Sequence, residues 1–165
     1  MFPLLVAMLS LAAGDVAPPL NKLDLVRGPT KYERQQISAR TLLLNQPTLV
    51  EFWATWCGPC VEQIPRWNAL EEKYRGRIQF IAITADDPET VEAFLNKRPM
   101  EGWVLLDSDG AVHQAYGVAS LPYTFLVDSH GTVRGVTTLS RLREADIESL
   151  AAGRAFEPPP PPGSG

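Results

Sequence analysis

The chain has 165 residues, a formal net charge of −4, 45% apolar residues and 21% charged residues. That length suits one globular domain with a core of its own, and an acidic balance without a basic cluster gives no footing for nucleic-acid binding. Cys57 and Cys60 are its two cysteines, so a disulfide framework is not what holds it together.

Residues 1–14 carry no charged side chain. The apolar run 2–13 ends in Ala12, Ala13 and Gly14 before Asp15, a small-residue pattern that fits an export cleavage site, although no Lys or Arg precedes the run. As a helix it would reach roughly 18 Å, short of the ~30 Å hydrocarbon core. A cleaved signal over residues 1–14 is therefore expected rather than a spanning anchor. Residues 15–47 form an N-terminal extension, broken by Pro18-Pro19 and Gly28-Pro29. Leu23 and Leu25 alternate weakly, as in a short edge hairpin, and residues 42–44 read as another short strand. No chemistry is assigned to this stretch.

Residues 48–54 are apolar on both faces apart from Glu51, the pattern of a central parallel strand covered by helices. They lead into Trp56-Cys57-Gly58-Pro59-Cys60. A helix follows from Pro59, with Ile64, Trp67, Leu70 and Tyr74 at helical spacing, a kink at Pro65 and an end at Gly76. Residues 78–84 predict a second buried strand. Asp87 as N-cap and Pro88 at the first position open the next helix, with Val91, Phe94 and Leu95 inward. Residues 103–106 read as a short strand, closed by the turn 107–110, and 111–116 as a short helix ending at Gly117. Strands 123–127 and 132–137 form an antiparallel hairpin. A terminal helix over 142–152 turns Ile147, Leu150 and Ala151 inward, and Gly153 caps it. The Pro/Gly-rich stretch 157–165 cannot pack and is expected to be a disordered tail, leaving the domain proper at 48–156. The whole is an α/β protein with a mixed sheet.

Two cysteines separated by two residues could be a structural bridge or half of a metal site. A bridge that short closes a tiny loop, however, and the stabilisation from closing a loop grows with its length. At a strand-to-helix junction the pair reads better as a redox dithiol.

FWATWCGPC, followed some fifty residues later by YGVASLPYTFLVDSHGTV, resembles the thioredoxin superfamily, and most closely the exported TlpA/ResA-type thiol–disulfide oxidoreductases. The resemblance implies a thioredoxin fold: a central mixed sheet flanked by helices, with the extra helix and strand of those relatives supplied by residues 78–106. Cys57, just before a helix where unpaired N–H groups favour an anion, is the expected nucleophile, and Cys60 the resolving thiol. Trp56, Gly58 and Pro59 would border the substrate, with Trp56 as an apolar landing surface. Glu51, six residues before Cys57, occupies a position where the superfamily commonly carries a buried acid; burial should raise its pKa and suit it to accept the Cys60 proton. Pro122 resembles the cis-proline that faces the dithiol, with Leu121 offering its backbone to an extended substrate. The chain departs from the pattern twice. Gln63 stands where many relatives have Glu, and Tyr123 follows the proline where Thr is usual, which should alter the groove. His113 and His130 read as exposed bystanders, and Trp53, Trp67 and Trp103 as core. No cofactor or metal site is expected.

The expected function is therefore thiol–disulfide exchange with protein disulfides. It would act as a reductant in the periplasm or cell envelope, for example in cytochrome c maturation, fed by a membrane-borne or soluble thiol electron donor, with the protein a monomer. A cytoplasmic location follows if residues 1–14 are not a signal. The alternatives are a dithiol copper carrier, since soft thiolates suit Cu(I), and a thiol peroxidase.

Overall fold

The computed structural model describes residues 10–20, 23–28 and 46–154. Six strands, β1 (Asp24–Arg27), β2 (Thr48–Phe52), β3 (Gln79–Thr84), β4 (Trp103–Leu106), β5 (Tyr123–Val127) and β6 (Val133–Thr137), form one sheet in the order β1-β4-β3-β2-β5-β6. β2 runs parallel to β3, and β3 to β4, while β5, β6 and β1 join antiparallel. The helices are α1 (Gly58–Glu62), α2 (Ile64–Tyr74), α3 (Pro88–Lys97), α4 (Ala111–Ala115) and α5 (Glu144–Ala151). This is the thioredoxin fold, with β3, α3 and β4 where the extra helix and strand were expected.

Every residue of β2 is buried, as a strand sandwiched between two layers requires. Its side chains alternate between two cores. Leu49 and Trp53 join Cys57, Cys60, Trp67, Tyr74, Leu95 and Ile147 beneath α1, α2, α3 and α5. Val50 and Phe52 join Ile81, Ile83, Val112, Tyr116 and Phe125 on the other face, under α4. Glu51 lies between Leu49 and Trp53, and the two-residue period of a strand sends it to the dithiol's face.

Asp87 caps α3 as expected: its Oδ1 accepts the Thr90 N–H at 2.9 Å, with Pro88 following. The helix after the cysteines breaks earlier than expected. α1 ends at Glu62, and Gln63 caps both α1 and α2, so Pro65 sits in the first turn of a new helix. There its missing N–H costs nothing. The last helix begins at Glu144 rather than 142, with Leu142 buried in the turn before it.

The extension holds structure that periodicity did not reveal. β1 is a single edge strand paired with β4; the strand expected at 42–44 lies outside the described residues, as do residues 1–9 and the tail from 155. Ahead of β1, the chain straps the β5–β6 turn. Val133 N–H donates to Asp15 O, Ala17 N–H to Gly131 O and Gly14 N–H to Val133 O, each at 2.8 Å. The Tyr116 hydroxyl donates to Pro18 O at 2.9 Å, and Leu20 is fully buried.

Candidate active site

β2 delivers the chain to the start of α1, where the hydrogen-bonding needs of a helix end take over. Cys57 is the N-cap, in extended conformation, and its sulfur accepts the Cys60 N–H at 3.3 Å. Pro59 stands in the first turn of α1, where a ring nitrogen is harmless. Cys57 and Cys60 are joined as a disulfide with Cα atoms 5.2 Å apart. Both are largely buried, Cys57 at 5% and Cys60 at 4% exposure, while Gly58 and Pro59 around them are exposed. When the pair is reduced, the unpaired amides of the first turn are placed to favour a thiolate on Cys57.

Trp56 is 75% exposed, an unusual state for a large aromatic ring. It is not loose. Its Nε1–H donates to Asp86 Oδ1 at 3.1 Å, while Asp86 Oδ2 accepts the Thr55 N–H at 2.7 Å and the Thr55 hydroxyl at 2.9 Å. One carboxylate from the β3–α3 loop thus orients the residues just before Cys57. Sequence reading gave Asp86 no role; its proximity depends on the parallel pairing of β2 with β3, which brings the two strand ends together.

Glu51 is 3% exposed, on one of the two central strands. Its in-register neighbours are Ala82 on β3 and Thr124 on β5. Thr124 Oγ1 donates to Glu51 Oε2 at 2.5 Å. Burial pushes the carboxyl up to about 8, against the opposing pull of the Thr124 hydrogen bond. It can therefore hold a proton near neutral pH and exchange it in the range where thiols titrate.

The Leu121–Pro122 peptide bond is cis, and the loop it belongs to leads directly into β5. Leu121 is half-buried and packs against both cores. Tyr123 does not line a groove at the dithiol: its ring packs on Phe125, centroids 5.2 Å apart, on the opposite face of the sheet. Gln63 donates from Nε2 to Pro59 O at 2.9 Å. An amide there cannot take up a proton as a carboxylate would; the buried carboxyl of β2 itself is Glu51.

The two histidines part company. His130 is exposed, as expected, with 85% of its side chain in solvent. His113 is not: its side chain is 16% exposed, Nδ1 lies 2.6 Å from Asp107 Oδ2, and the ring meets Phe52 edge-on at 4.8 Å. Asp107 also accepts the Val112 and His113 N–H groups at the start of α4, which draws His113 back over the sheet. Burial would raise the Asp107 pKa, but the His113 ring and these amides outweigh it and hold the carboxyl below its ordinary range. The pair lies across the sheet from the dithiol. Trp53, Trp67 and Trp103 are buried.

Comparison with known proteins gives a consistent picture. The AhpC/TSA family profile matches residues 13–136. Thiol-disulfide oxidoreductase ResA of Bacillus thuringiensis subsp. konkukian is 32% identical over 120 residues, covering 69% of this chain and 66% of that protein, so the chain spans just under two thirds of that relative's length. ResA of Geobacillus kaustophilus is 30% identical over 141 residues, 84% of this chain and 76% of that protein. Among solved structures, a thiol:disulfide interchange protein DsbE from Chlorobium tepidum superposes with a TM-score of 0.66 at 30% identity, covering 87% of this chain and 95% of that one.

Proposed function

The chain belongs to the AhpC/TSA family of thioredoxin-fold proteins, alongside the ResA-type thiol–disulfide oxidoreductases, and from that premise we propose that it reduces disulfides of other proteins through Cys57 and Cys60. The observation that carries this reading is the position of Cys57: N-cap of α1, disulfide-bonded to Cys60, beside an exposed, anchored Trp56. Cys57 thiolate attacks one sulfur of a substrate disulfide. A mixed disulfide forms and the other substrate sulfur leaves as a thiolate, which takes a proton from solvent. Cys60, its proton passed to the Glu51 carboxylate, attacks Cys57 Sγ. The second substrate sulfur leaves as a thiolate and is protonated in turn, and the protein is left as the Cys57–Cys60 disulfide. Two electrons pass from the dithiol to the substrate, and a thiol donor must restore them.

The direction follows from charge. A strong oxidant needs a very stable nucleophilic thiolate. Gly58 and Pro59 bring no cation or imidazole to Cys57, and Glu51, buried on the same face, adds no positive charge in either protonation state. The potential should therefore lie nearer the ~−270 mV end than the ~−120 mV end of the dithiol-protein range. Extended substrate is held by the Leu121 backbone beside Pro122 and by the Trp56 face. Residues 1–14 serve as an export signal. A cut after Gly14 would remove the Gly14 hydrogen bond to Val133 and would leave in the chain both partners of the Val133–Asp15 and Ala17–Gly131 bonds. An envelope location with cysteines of apocytochrome c, or other envelope disulfides, as substrates fits the ResA likeness. Insulin-disulfide reduction together with a glutathione redox titration tests the reading. Turnover lost in Cys57→Ser with a potential far below −120 mV supports it; a potential near that value overturns the reductant assignment.

A further inference from the structure

Glu51 would be a poor proton acceptor if its carboxyl could rotate, because a buried carboxyl turned towards apolar neighbours presents no oxygen to the thiol. We propose that Thr124 is the residue that positions it, and that β5 thereby couples the proton acceptor to the substrate-binding loop. The inference rests on the reading of Glu51 given above and deepens it.

Thr124 is fully buried, and a buried hydroxyl needs a partner. Antiparallel register sets it directly across from Glu51, and its Oγ1–H donates to Oε2. That holds Oε2 towards β5 and leaves Oε1 as the oxygen this hydroxyl does not engage. Thr124 is also two residues after the cis Leu121–Pro122 bond, so a substrate chain drawn against that loop loads the same strand. Among the described residues, no other charged side chain shifts the Glu51 carboxyl. From β3 the neighbour is Ala82; from α1 the titratable groups on this core are Cys57 and Cys60; and the buried residues that α3 and α5 contribute to the core are Val91, Leu95, Ile147 and Leu150. Of the two buried titratable side chains of α2, Glu71 is bonded to Arg75 and Tyr74 to Glu148. Burial and the Thr124 hydroxyl are the influences on the Glu51 proton affinity.

The test compares Thr124→Val, which keeps the shape and removes the donor, with Thr124→Ser, which keeps the donor; Thr124→Ala carries the same comparison if Val does not fold. The Glu51 carboxyl is titrated by carbon-13 NMR of glutamate-labelled protein, its resonance identified by its loss in Glu51→Gln. Reduction of a peptide disulfide is followed from pH 6 to 10. Losing a hydrogen bond to a charged group should move the carboxyl titration and the rising limb of the rate to higher pH by about one to two units. That is an about tenfold or larger loss of rate at neutral pH that recovers in alkali, with Thr124→Ser close to the wild-type profile. A Thr124→Val titration that does not move, or a rate lowered evenly at every pH, overturns the inference. Glu51→Gln separates the two ideas. If it keeps the wild-type pH profile, the proton-acceptor reading fails and takes this one with it. If it loses the rising limb while Thr124→Val does not move, the positioning inference alone fails.

Discussion

Glu51 makes a testable claim about stability that needs no substrate. In the unfolded chain its carboxyl releases a proton near the ordinary 4.5; in the folded chain burial delays release to about 8. Between those values the folded state binds more protons than the unfolded state, so stability falls as pH rises. The contribution is fully present below 4.5 and lost once pH passes about 8. At about 1.4 kcal/mol per pH unit, the whole loss is roughly 5 kcal/mol, of which roughly 3 is already felt at neutral pH. Against a total stability of about 5–15 kcal/mol this is a large fraction. Glu51→Gln removes the titration while leaving an amide that can still accept from Thr124. Urea unfolding of both disulfide forms at pH 4, 7 and 9 isolates the effect, because every other group titrates in both proteins. The expected stability difference between variant and wild type grows in the variant's favour by roughly 3 kcal/mol from pH 4 to 7, and by roughly 5 by pH 9. A difference flat across that range would mean that the folded protein accepts the carboxylate without cost, and the burial argument would be refuted.

Three further outcomes are expected. Asp86→Ala frees Trp56 from its hydrogen bond; because the other three tryptophans are buried, acrylamide quenching and fluorescence anisotropy report chiefly on this ring, and the accessible indole should become more mobile. Disulfide-reductase activity in the same variant should fall several-fold, for the lost hydrogen bonds are worth about 1–3 kcal/mol and not all of that reaches the transition state. Asp107→Asn should cost roughly 1–3 kcal/mol, measured by urea unfolding. Because the Asp107 pKa is held below its ordinary 3.8, the deficit should be full above that value and close as pH falls through the lowered one.

The central strand, the dithiol at its end and the buried acid six residues earlier were legible because each is written locally: an unbroken apolar run, a two-residue spacing and one charged residue at an inward position. The helix caps at Asp87 and the hairpin after Tyr123 were legible for the same reason. What escaped depends on partners far apart in the chain. Asp86 serves Trp56 only because β3 lies beside β2, and Thr124 serves Glu51 only because β5 lies on its other side. The strap around Val16 pairs with Thr132 across more than a hundred residues, and no periodicity in residues 15–47 announces it. His113 was misjudged as exposed because a polar residue in a short helix usually faces water; a cue lay in Asp107, six residues before it, an acceptor suited to bond the first amides of α4. Tyr123 was expected to alter the groove because it stands where relatives usually have Thr, yet strand alternation turns it with Phe125 to the other face.

The most direct test of the central claim is to ask which sulfur another protein's disulfide meets first. Cys60→Ser and Cys57→Ser proteins, each incubated with an oxidised peptide disulfide, are read by intact mass and peptide mapping under non-reducing conditions. Cys60→Ser should accumulate a one-to-one mixed disulfide on Cys57, while Cys57→Ser should stay largely unmodified. Equal labelling of Cys60 in the second protein, or no adduct in the first, would contradict the assignment of Cys57 at the head of α1 as the attacking thiol.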